Sequence, residues 1–89
     1  MMDYEKLVHA IIDEIVDEPE SVLVRVNEGE KSKDVTIVIA SEKEDTARLI
    51  GHRGIIANSI REVIGVAGKS ENKRIHIKFE SFEEEKVEE

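Results

Sequence analysis

The chain has 89 residues, no cysteine, and 13 Lys and Arg against 21 Asp and Glu, for a formal net charge of -8. That length holds one domain; the absence of cysteine excludes a disulfide framework and thiolate chemistry; and no apolar run is long enough to span a bilayer. The acidic balance at first sight opposes a polyanionic partner, because such binding depends on phosphate neutralisation by Lys and Arg.

The N-terminus, Met1 to Lys6, is acidic and leads straight into an amphipathic pattern, unlike a secretory signal, so a cytoplasmic protein is expected. Tyr4, Leu7, Val8, Ile11, Ile12, Ile15 and Val16 recur at helical spacing, with Asp3 as N-cap and Pro19 as the stop. Val22, Val24 and Val26 then alternate with Leu23, Arg25 and Asn27, and a polar reversal over residues 27–34 leads into Val35 to Ala40. This reads as a hairpin whose second strand, apolar on nearly both sides, lies inside a sheet. Ser41 and Glu44 fit a capping box opening a helix that ends near Ile50. A further helical stripe comprises Ile56, Ile60, Val63, Ile64 and Ala67, followed by a loop from Gly68 to Asn72. In the last strand Ile75, Ile77 and Phe79 alternate with Arg74, His76 and Lys78.

The order is αββααβ. A strand, a helical crossover and another strand permit parallel pairing. The expected fold is therefore α+β, a three-stranded mixed sheet covered on one face by three helices. The domain is expected over residues 1–79, followed by an acidic, disordered tail over 80–89.

Between the second and third helices lies Gly51-His52-Arg53-Gly54. Residues without Cβ let a phosphate approach the backbone, and the amides of Ile55 and Ile56, opening the next helix, point toward it. The spacing alone is weak, since five glycines give roughly 0.3 such pairs by chance. A second pair, Gly65-Val66-Ala67-Gly68, lies in an apolar helix and reads as its C-terminal stop. The first pair also sits in the basic part of the chain. Residues 46–79 carry 7 Lys and Arg against 2 Asp and Glu, whereas residues 1–45 carry 5 against 13 and residues 80–89 carry 1 against 6. Local potential within a Debye length matters more to a bound phosphate than the whole-chain sum.

This order of elements resembles the type II KH domain, and within it the small bacterial single-domain KH proteins of the KhpA family. The likeness spans about residues 4–79. It rests on Leu49-Ile50-Gly51-His52-Arg53-Gly54, on Ile55-Ile56-Ala57-Asn58-Ser59-Ile60-Arg61 following at once, and on Ala67-Gly68 with Asn72-Lys73-Arg74 before the last strand. The resemblance implies a non-catalytic cytoplasmic protein that binds single-stranded RNA, a post-transcriptional regulator or RNA chaperone. It implies RNA contacts at Ile50, Gly51, His52, Arg53, Gly54, Ile55, Asn58 and Arg61, with no metal, cofactor, membrane or small-molecule substrate. It also implies a homodimer or pairing with a larger KH protein of the Jag (KhpB) type. His52 and Ile55 stand where the family often carries basic residues, which lowers the charge of this loop.

In this reading the groove floor is Ile50, Ile55 and the outward side of the Val35 to Ala40 strand, and the hairpin loop around Gly29 to Lys33 forms the opposite wall. One Tyr and two Phe leave little for base stacking, so selectivity is expected to be low. Ile55 points off the buried stripe and, with Ser59 and Glu62, marks a contact surface. The carboxylates Asp13, Glu14, Asp17 and Glu18 lack a nucleophile or oxyanion donor nearby and read as a solvated face. His9, His52 and His76 share no metal-ligand spacing.

Overall fold

Asp3 opens the first helix by accepting the Lys6 amide at 3.0 Å, and α1 runs Tyr4–Ile12. The computed structural model describes residues 2–29 and 32–82. Tyr4, Val8 and Ile12, one turn apart, are buried. The apolar stripe continues through Ile15 and Val16, but the helix does not. The Ile15 and Val16 amides both bond the Ile12 carbonyl, at 2.9 and 3.1 Å. The Asp17 and Glu18 amides instead reach the carboxylate of Asp45, at 2.9 and 3.1 Å. A charged acceptor outcompetes another helical turn, and Pro19 already disfavours helical backbone at Glu18. Those amides, Asp17 foremost, hold the buried Asp45 carboxyl below its ordinary range, with Arg48 adding to the effect.

β1 (Leu23–Glu28) and β2 (Asp34–Ser41) form the expected hairpin, antiparallel with Leu23 opposite Ala40. β3 (Arg74–Ser81) lies parallel to β2, with Ile37 opposite Ile77. The sheet order is β1-β2-β3, so β2 is central. Val35, Ile37 and Ile39 of β2 are fully buried beneath the helices and pack with Tyr4, Val8, Ile12, Leu49, Ile60 and Ile64. Side chains at Arg25, Val38 and Lys78 occupy one row across the opposite, helix-free face.

α2 spans Lys43–Ile50, as the pattern indicated, but the capping box is absent. Ser41 ends β2, paired with Ser81, and its carbonyl accepts the Phe82 amide at 3.0 Å. Held in the ladder, its buried hydroxyl bonds Thr46 Oγ1 at 2.6 Å, and Glu42 takes the N-cap position without a side-chain bond.

α3 spans Ile55–Ser70, two residues past the expected stop at Gly68. Gly68 is buried inside the helix, where a Cβ would lie 2.4 Å from Ile75 Cγ1. It is a contact residue that lets α3 approach β3. The helix closes afterwards, when the Glu71 and Lys73 amides converge on the Gly68 carbonyl at 3.0 and 2.8 Å and Asn72 takes φ +60. β3 continues to Ser81, beyond the expected end at Phe79. Of the acidic tail, residues 83–89 lie outside the described residues.

Candidate nucleic-acid interface

The loop between α2 and α3 holds three left-handed residues within four positions: Gly51 at φ +76, Arg53 at φ +56 and Gly54 at φ +78. The two glycines are required for different reasons. A Cβ at Gly51 would come within 2.7 Å of Ile56 Cγ1, and its ψ of 178 places it in backbone space that only glycine enters readily. At Gly54 nothing lies within 4 Å, so conformation alone selects glycine and the surface above it is open. Arg53 has a side chain in the same left-handed region, at a cost of about 1–2 kcal/mol. His52 and Arg53 are exposed at the tip, with no ion pair among the described residues.

Residues 52–54 form a tight 3-10 turn, and this alters the expected donors. The Gly54 amide bonds the Gly51 carbonyl at 3.2 Å, and the Ile55 amide bonds the His52 carbonyl. The Ile55 amide therefore does not point at a phosphate as expected, because the loop closes on itself before α3 begins. Ile50 is 39% exposed and Ile55 60%, so both border the loop as apolar surface.

Asn58 and Arg61 sit one and two turns down α3, against β3. The Arg61 guanidinium donates to Asn58 Oδ1 at 3.3 Å and to the Ile77 carbonyl at 3.2 Å, and lies 5.3 Å from the centre of the Phe79 ring. This corrects the expected groove. β2 is central, with its inner side buried and its outer side on the far face of the sheet. Neither side can serve as floor beside the GxxG loop. The strand flanking α3 is β3, whose edge carbonyl Arg61 covers. The turn preceding β3 lies at the far end of this flank, and the Arg74 amide joins it to the Lys33 carbonyl at the end of the β1–β2 hairpin loop, at 2.7 Å. In a β-α-α-β unit added to a hairpin whose second strand is central, the last strand occupies the edge.

Val63, expected on the buried stripe, is 55% exposed; the buried positions of α3 are Ala57, Ile60, Ile64 and Gly68. Ile55, Val63 and Val66 form a second apolar stripe facing solvent, with Val66 68% exposed. Ser59 and Glu62 are exposed beside it. Spacings of eight and eleven residues, near whole helical turns, were the available signal.

Residues 5–79 match the family described as KhpA/KhpB, KH domain. The protein from Listeria monocytogenes named RNA-binding protein KhpA is 34% identical over 75 residues, covering 84% of this chain and 96% of the relative. Relatives of the same name from Clostridium acetobutylicum and Bacillus subtilis are 36% and 30% identical, covering 84% and 89% of this chain and 97% and 93% of theirs. No solved structure matches significantly. Family match, αββααβ order and an exposed GxxG turn between α2 and α3 agree: the chain belongs to the KhpA/KhpB KH-domain family.

Proposed function

We propose that this protein is a non-catalytic module for single-stranded RNA that grips the backbone at Gly51 to Gly54. The observation carrying this reading is the pair of exposed side chains, His52 and Arg53, held at the tip of a turn with three positive-φ residues. Strained backbone with an uncommitted cation at its apex suits a phosphate, and the open space at Gly54 lets it approach. Relatives over most of the chain carry the name RNA-binding protein. Ile50 and Ile55 offer apolar surface to the first bases, while Asn58 and Arg61 border the strand along β3.

Selectivity is low in this reading. Tyr4 is buried in the core, Phe79 lies beside Arg61 and, of the Tyr and Phe rings, Phe82 alone is exposed, so few rings are available for stacking. Weak, permissive binding fits a cytoplasmic post-transcriptional regulator or RNA chaperone. Two or three neutralised phosphates give a slope of log affinity against log salt of about -1.4 to -2.1. Titrating short single-stranded RNA at several salt concentrations measures it; a flat response refutes phosphate gripping.

The stripe Ile55, Val63 and Val66 supports a second reading, self-association through α3, with a KhpB-like protein as the competing occupant. Sedimentation of the wild type and of Val63→Asp tests it: a dimer that the variant converts to monomer is expected. A wild type that stays monomeric overturns self-association.

A further inference from the structure

At the end of α3 opposite the GxxG loop is a cleft of about 490 Å³ lined by Lys33, Lys69, Asn72, Lys73 and Arg74. Among the described residues, every ionisable side chain lining it is a cation, in a chain of net charge -8. Its walls are fixed by backbone. The Arg74 amide bonds the Lys33 carbonyl at 2.7 Å, joining the end of the hairpin loop to the start of β3. The Asn72 amide bonds the Lys69 carbonyl at 3.0 Å, and the Lys73 amide bonds that of Gly68. Two cations are already engaged on the rim: Lys73 with Glu28 at 3.6 Å and Arg74 with Asp34 at 3.1 Å. Lys33 and Lys69 are exposed and have no acidic partner among the described residues.

We propose that this cleft is a second phosphate-binding site, taking the backbone of the RNA strand held at the GxxG loop. The proposal rests on the RNA-binding reading above. Lys69 follows Asn58 by eleven residues, about three helical turns, and therefore lies on the same side of α3. Between them Gly65 bears no side chain, and the exposed Glu62 is the one acid of α3 beside the path. From Gly54 to Lys69 the helix rises about 22 Å, which carries the strand past the roughly four nucleotides a GxxG loop clamps. The cleft lies at the C-terminal end of α3, whose dipole repels an anion. Binding there depends on the lysines, and charge reversal is decisive.

The experiment compares a four-nucleotide and a ten-nucleotide single-stranded RNA on the wild type and on Lys33→Glu/Lys69→Glu. The wild type is expected to bind the longer RNA more tightly and with a steeper salt slope. The variant loses about 1.4 units of that slope and about tenfold in affinity on the ten-nucleotide RNA. On the four-nucleotide RNA it matches the wild type, which also reports that the fold is intact. Lys33→Gln/Lys69→Gln should lose the same slope, with an affinity between the two. Equal losses at both lengths, or no loss on the longer RNA, overturn the second site while leaving the GxxG reading standing. A wild type that binds neither RNA overturns both.

Discussion

Two GxxG tetrapeptides lie fourteen residues apart, and the fold uses them in opposite ways. Gly51 to Gly54 breaks the chain between two helices, with both glycines at positive φ and polar side chains exposed at the tip. Gly65 to Gly68 lies wholly within α3, in helical backbone, with Gly68 pressed on Ile75. Glycine spacing therefore specifies no function by itself. What distinguishes the two is what a missing Cβ makes room for: open solvent above Gly54, a neighbouring strand beneath Gly68, and nothing at all beside Gly65.

Substitutions at single glycines sharpen this contrast. The largest effect is expected from Gly68→Val, whose branched side chain would meet Ile75 and the Lys73 carbonyl, the latter already 3.2 Å from a Cβ. Overpacking against backbone costs about 3 kcal/mol, which lowers the melting temperature by roughly 10 °C or more in a domain of this size. Below that temperature the affinity for a four-nucleotide RNA should be unchanged. Gly51→Ala comes next. It forces a Cβ into a glycine-only conformation at a cost of about 2 kcal/mol, and it distorts the grip, so calorimetry and RNA titration both register it. Gly65→Ala is the smallest and has the opposite sign. In a helix interior with free space at the Cβ, it should stabilise by about 0.5–1 kcal/mol, raising the melting temperature by several degrees. If Gly65→Ala destabilises as much as Gly68→Val, the distinction between the two glycines fails.

Much of the fold was legible because patterns of period 2 and 3.6 are direct images of one-sided burial. The central position of β2 followed from its apolar residues on both sides, and parallel β3 from the helical crossover. The elements that depart from their local pattern depend on partners distant in sequence. Nothing local to Asp17 and Glu18 announces that Asp45 will take their amides and end α1 at Ile12. Nothing near Ser41 announces that the Phe82 amide and Ser81 will hold it in the sheet. Gly68 read as a stop because a helical glycine and a C-terminal glycine look alike until Ile75 is placed against one of them.

The site divides along the same line. Its loop was visible as a contiguous motif, whereas its flank was not. Arg61 faces the Ile77 carbonyl sixteen residues on, and the basic cleft draws Lys33 together with Lys69 through the backbone bond from Arg74 to Lys33.

In the proposed function the turn between α2 and α3 holds RNA and contributes little to stability. His52→Asp/Arg53→Asp tests it most directly, because Asp tolerates the left-handed backbone at position 53 and both side chains are exposed. Affinity for a four-nucleotide single-stranded RNA and melting temperature are measured on one preparation. Binding is expected to disappear while the melting temperature stays within a few degrees of the wild type; a variant that binds this RNA as tightly as the wild type refutes the grip at this turn.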